Sequence, residues 1–303
     1  MNNPTGLIPI SGCDNANRIG DVIFVHGLGG DARGTWHPQG NRNDDNFWLY
    51  WLGQELSNVG IWSFGYEAEP FKWKGKAMPL FDQASNLLEW LDNRYLGERP
   101  LIFVTHSLGG LLVKQMLCSA QNFKDKQEII DSTKGIVFLA TPHTGSNLAN
   151  LIDNIGTLTQ TNVNVEELKE HAPQLRQLNE WYRQKVNDLR IKTKVYYETQ
   201  PMSRILVVNE DSANPGIQDV QPAAMPYNHI SIVKPESTES AVYLGVRRFI
   251  EKTFTQPHPI ELKPQELFLE KVTTDNRKIG NYFDRNATIH GPVVGRDFIN
   301  NNQ

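Results

Sequence analysis

Short, nearly continuous apolar runs alternate along this chain with segments whose apolar residues recur at helical spacing. The first run, 21–25, is β-rich and is closed by His26-Gly27-Leu28-Gly29-Gly30. Residues 47–56 (FWLYWLGQEL) have helical spacing and an aromatic face, and 60–66 (GIWSFGY) read as the next strand. In 79–96 the apolar positions Leu80, Ala84, Leu87, Leu88 and Leu91 fall on one helical face. A strand of buried type follows at 101–105 (LIFVT), then an apolar helix at 108–120, then a strand at 135–140 (GIVFLA) stopped by Thr141-Pro142. Strands alternating with helices at this spacing predict an α/β chain with a mostly parallel central sheet and helices on both faces.

Past residue 146 the rhythm breaks. The stretch 147–190 is Thr/Asn-rich at first and then predicts a long helix bearing Leu168, Leu175, Leu178 and Trp181. An insertion there would lie above the carboxyl edge of the sheet, where ligands bind, and is expected to act as a helical lid. Strand patterns return at 194–198 (KVYYE) and 204–208 (RILVV), and a final helix is predicted at about 237–253. This divides the chain into a main domain (1–255), a proline-bearing linker (256–264) and a polar tail (265–303) too poor in apolar residues to build its own core.

Composition narrows the classes. With 303 residues, 39% of them hydrophobic, the chain can bury one large core. A net charge of −4 is too mild to attract nucleic acid, so no nucleic-acid partner is expected. No apolar run approaches the ~20 residues that span a bilayer. The first residues lack the basic and apolar regions of a secretory signal. Two cysteines, Cys13 and Cys118, make no disulfide framework, and a cytoplasmic setting is expected.

The chemistry is carried by the run LIFVT followed by His106-Ser107-Leu108-Gly109-Gly110 and an apolar helix. A tight strand-to-helix turn lifts a serine hydroxyl off the sheet edge, small neighbours let the turn close, and the helix N-terminus presents the Leu108 amide to a developing oxyanion. Ser107 is therefore the expected nucleophile, although Thr105 stands where a glycine is usual. The glycine loop after the first long strand is the expected source of a second oxyanion donor, the Leu28 amide. Gly27, Gly29 and Ala32 also match a G-x-G-x-x-A dinucleotide fingerprint. The helix that fingerprint needs would run through Gly34 and Pro38, so the match is set aside.

A serine needs a base, normally a histidine on a late loop. Of eight histidines, His26 and His106 belong to the glycine motifs, and His143 lies just past a strand. These three, with Gly27, are expected to frame the substrate site. His37 comes too early, His171 falls in the insertion, and His258 and His290 lie in the linker and tail. His229 remains, after the late strands and before the final helix. The acid that orients it is expected to be Glu198, at a strand end, or else Asp211; Glu210 and Asp219 come next. Trp36, Trp48, Trp51, Trp62 and Trp73 crowd the first quarter and are expected mostly to pack under the sheet or beneath the oxyanion loop.

The segments VIFVHGLGG, VTHSLGGLLVKQML, VFLATPHTGS, YYETQP and NHISIVKP together resemble the serine-active-site-containing (SERAC-like) branch of lipase-type α/β-hydrolases, over roughly residues 20–252. The resemblance implies the α/β-hydrolase fold, with Ser107 as nucleophile, His229 as base and an acid at Glu198 or near Asp211. It also implies ester or lipid substrates, phospholipid foremost, with transient contact at a membrane surface and no metal or cofactor. Such modules also occur as effectors ahead of oligomerisation domains, and 290–297 (HGPVVGRD) resembles connectors before them. That points to a docking or assembly role for the tail, with itself or a signalling partner, in antiviral defence. Other expectations left open are a thioesterase or amidase on the same residues, and a latent or non-catalytic module.

Overall fold

The computed structural model describes residues 5–66, 80–143, 165–202 and 204–255, with only the backbone over 165–173. The linker, the tail with its 290–297 connector, Trp73 and the first part of the expected lid, 147–164, lie outside the described residues.

Among the described residues, seven strands form one sheet: β1 (Gly6–Ser11), β2 (Gly20–Val25), β3 (Val59–Gly65), β4 (Leu101–His106), β5 (Thr133–Leu139), β6 (Lys192–Glu198) and β7 (Ala223–Met225). Their order is β1-β3-β2-β4-β5-β6-β7. Only β1 runs antiparallel, against β3; every other pairing is parallel. Strands β2, β3 and β4 are buried along their whole length. That explains why they read as continuous apolar runs rather than alternating ones.

The α-helices among the described residues are α1 (Trp48–Glu55), α2 (Leu80–Asn93), α3 (Leu108–Ala120), α4 (Gln127–Ser132), α5 (Val165–Lys185), α6 (Glu210–Ala213) and α7 (Ala241–Thr255). They cover both faces. On β5, Gly135 lies against the ring of Phe249 of α7, whereas Phe138, of opposite parity, meets Lys114 of α3 and Tyr182 of α5. Beneath α1, Phe24, Trp36 and Trp48 pack edge to face with centroids 5.0–6.0 Å apart, and Tyr243 of α7 reaches Trp48. The tryptophans of the first quarter are thus chiefly core: Trp36 and Trp48 are fully buried, and Trp62 donates to Asp21 at 2.7 Å.

Two elements differ from the sequence expectation, and part of a third can be placed. β1 is an additional strand: as an edge strand with Pro9 exposed and only Gly6 and Leu7 buried, it lacks the apolar signature of the central strands. Residues 204–208 form no strand beyond a single bridge at Ile205, because Val207 and Val208 are buried through a loop while Leu206 points outward. The helix within the expected lid, α5, is the crossover between β5 and β6. It lies beside α3 and buries Leu175, Leu178 and Tyr182 in the core.

The order of the strands positions the site. From β2 the chain passes to β3 on one side, and then through α2 to β4 on the other. The loops leaving the carboxyl ends of β2 and β4 therefore part in opposite directions, and the gap between them is where open α/β sheets hold ligands. Val25 pairs with Thr105, which sets His26-Gly27 beside His106-Ser107 at that gap.

Candidate active site

Ser107 sits between β4 and α3 with φ 51° and ψ −125°, in the left-handed region that side chains rarely enter. The strain persists because the surroundings fix it. The Ser107 amide donates to Leu139 at 3.0 Å, and a methyl group on Gly27 would stand 2.8 Å from the Ser107 Cβ. A methyl on Gly109 would collide with the carbonyls of Val25 and His26, and one on Gly110 with Thr141. Only glycine lets the elbow and the β2 loop approach this closely. Thr105 is accommodated for a different reason: its buried hydroxyl donates to the Val137 carbonyl at 3.0 Å.

Three side chains from distant parts of the chain meet at this turn. His229 Nε2 lies 3.1 Å from Ser107 Oγ, and His229 Nδ1 lies 3.3 Å from Glu198 Oε1. A carboxylate only accepts, so Nδ1 carries the proton and Nε2 is left to accept from the serine hydroxyl. Glu198 ends β6, is fully buried, and also accepts the Val208 amide at 2.6 Å. The loop at 204–208 thus spends that amide on the carboxylate instead of on a strand ladder. Asp211 sits in the first turn of α6; the carboxylate bonded to His229 is that of Glu198. Glu210 accompanies Asp211 in that turn, and Asp219 lies in a loop at φ 63°. The Leu28 amide follows the close approach of Gly27, and the Leu108 amide opens α3; among the described residues neither has an acceptor.

The framing histidines are buried and held by hydrogen bonds. His26 Nδ1 donates to the Gly27 carbonyl at 2.9 Å, its Nε2 accepts the Tyr66 amide at 3.3 Å, and its ring stacks on Tyr66. Burial pushes His26 down to about 4. His106 Nε2 donates to the carbonyl of His229 at 2.9 Å; burial, then the neighbouring His229, hold it well below the usual histidine range. His143 accepts from the Lys114 amine at 2.6 Å, and its Nε2 is buried with no partner among the described residues. So His26, Gly27 and His106 stand directly around the Ser107 turn, whereas His143 is engaged with α3.

Lys114 was not singled out by sequence reasoning. It is fully buried on α3, bonded also to Asn179 of α5 at 2.7 Å and flanked by the rings of Phe138 and Tyr182. Burial pushes its amine well below the ordinary lysine value. Its only sequence signal was its place inside the apolar helix LLVKQML. Cys13 and Cys118 are free; burial raises the Cys13 thiol to about 11, so it is no thiolate. Among the described residues, no group of three or more His, Cys, Asp and Glu side chains could hold a metal ion, and no helix is long and apolar enough to cross a membrane.

No family model matches the chain. Among curated proteins it is 35% identical over 256 residues to protein SERAC1 of Danio rerio, covering 76% of this chain and 38% of that protein. To protein SERAC1 of Homo sapiens it is 30% identical over 258 residues, covering 78% and 39%. The chain thus spans about two fifths of the length of these relatives. Among solved structures it is similar to the mature lipase BlEst2 of Bacillus licheniformis, with TM-score 0.57 and 16% identity, covering 81% of this chain and 99% of that one. Phospholipase PlaB of Legionella pneumophila gives TM-score 0.53 and 14% identity, covering 87% and 64%. These identities speak for the fold alone, which is that of the α/β-hydrolases. Across its sheet domain, the chain belongs to the SERAC-like branch of lipase-type α/β-hydrolases.

Proposed function

We propose that this chain is a serine hydrolase of carboxylic esters, with lipid acyl esters, phospholipids foremost, as its substrate class. One observation carries the reading: Ser107, strained into a left-handed turn, faces His229 at 3.1 Å, and His229 in turn faces the buried Glu198 at 3.3 Å. As Ser107 Oγ bonds to the acyl carbon, His229 Nε2 takes its proton and the carbonyl electron pair moves onto oxygen, where the Leu28 and Leu108 amides receive it. Collapse breaks the bond to the leaving alkoxide, which takes the proton back from His229. Water then adds to the acyl carbon by the same route and frees the acid. Glu198 fixes the tautomer of His229 and stabilises its cation.

The test is labelling with a fluorophosphonate, followed by a panel of esters and phospholipids with products read by mass spectrometry. Labelling of the wild type and not of Ser107→Ala, with fatty acid released, supports the reading; a wild type that never labels counts against it. A second reading has its own observation. Ser107 and His229 are only 1% and 2% exposed, which suits a latent enzyme opened by a lipid surface or a partner. Labelling that accelerates on adding phospholipid vesicles supports latency, and a rate indifferent to them does not.

A further inference from the structure

The loop that carries His229 is fastened at three points. His106 holds the carbonyl of His229 itself. Trp48 Nε1 donates to the Val233 carbonyl at 3.0 Å. Lys234 Nζ donates to the carbonyls of Gly34 and His37, both at 2.9 Å. The Lys234 contacts cross to the loop after β2, which also carries Gly27 and Leu28.

That loop is a tight turn with a cap at each end. At its start, Asp31 accepts the amides of Arg33 and Gly34 at 2.9 and 2.7 Å. The amides of Trp36 and His37 then fold back onto the Arg33 carbonyl. At its end, the carbonyls of Gly34 and His37 are those that Lys234 takes. A carboxylate thus closes the start of the turn, and an ammonium from the base's own loop closes its end. Lys234 is half-buried; without it the Gly34 carbonyl would lose its donor, while the His37 carbonyl would keep only the Gly40 amide at 2.9 Å.

We propose that Lys234 is a positioning residue for ester hydrolysis: it holds the β2 loop against the His229 loop so that the Leu28 amide meets the oxyanion formed at Ser107. The proposal rests on the reading of Ser107, His229 and Leu28 given above. Lys234 touches no reacting atom. Its effect is geometric, and a displacement on the order of 1 Å in such a site costs about 100-fold in rate.

The test compares the wild type, Lys234→Met and Lys234→Arg in the full chain, with rates expressed per serine titrated by fluorophosphonate. Each is assayed on a p-nitrophenyl ester and on its thiono counterpart, whose sulfur is a poor acceptor for oxyanion amides. Lys234→Met is expected to lower kcat on the oxo ester by roughly 10- to 100-fold with KM little changed. It should also narrow the preference for oxo over thiono ester, and Lys234→Arg should recover part of both. A per-site kcat equal to wild type overturns the proposal. So does an equal loss on both esters with no recovery by arginine, the pattern of general loosening. If Lys234→Met does not fold, Lys234→Gln is read by the same criteria. A wild type that does not label at Ser107 overturns the serine reading itself, and the role of Lys234 with it.

Discussion

The imidazole of His106 donates to the backbone carbonyl of His229 at 2.9 Å, and the two rings lie 4.9 Å apart. The residue before the expected nucleophile therefore anchors the expected base. His106→Phe keeps the ring and removes the donor, leaving a buried carbonyl unpaired at a cost of about 1–3 kcal/mol. Ester turnover is expected to fall about tenfold, with the protein still folded by near-UV circular dichroism. Unchanged kcat in a folded variant would show that His229 needs no such anchor.

Gly27→Ala tests the approach of the two glycine loops. The added methyl would stand 2.8 Å from the Ser107 Cβ, closer than side chains tolerate, so the β2 loop must move away. Displacing the Leu28 amide amounts to losing an oxyanion donor, and kcat should drop about 100-fold or more. A variant with kcat within a fewfold of wild type would move the oxyanion site elsewhere.

Glu198 and Asp211 can be separated by one pair of amides. Glu198→Gln keeps the oxygen that faces both the Val208 amide and His229 Nδ1 but removes the charge that stabilises the His229 cation, so kcat should fall by roughly 10²- to 10⁴-fold. Asp211→Asn should leave kcat within about twofold, since exposed substitutions away from the site have small effects. The reverse ranking would reassign the acid.

Acid should unfold this protein partly through its buried histidines. Burial lowers His26 from 6.5 to about 4. The unfolded chain then binds the proton more readily than the folded one. Stability falls as the pH drops below 6.5, and this loss is complete below about 4. The shift corresponds to about 3 kcal/mol. His106 and His143 are displaced in the same direction. Urea midpoints measured from pH 7 to pH 4 should flatten in His26→Gln by roughly one proton's worth of slope, and an unaltered slope would count against a neutral, buried His26.

Much of this site was legible in the sequence because its carriers lie on strands buried on both faces. β2 and β4 each end in a glycine motif, and both facts appear as local pattern. Elimination among the histidines points to His229, and a place at a strand end points to Glu198. What stayed hidden depends on contacts between distant segments. Nothing local reveals that the Val208 amide serves Glu198, so 204–208 has the pattern of a strand. Nor does the amphipathic pattern of α5 say which surface that helix covers. Lys114 and Lys234 looked like ordinary lysines, and only their partners across the fold distinguish them.

The burial of Lys114 also provides a built-in clock for the opening of the domain. Its amine is closed off between α3 and α5. An acylating reagent can reach it only after those helices part, whereas exposed lysines react at once. The lag in acetylation of that one residue, followed by peptide mass spectrometry, would therefore time the separation of the two helices.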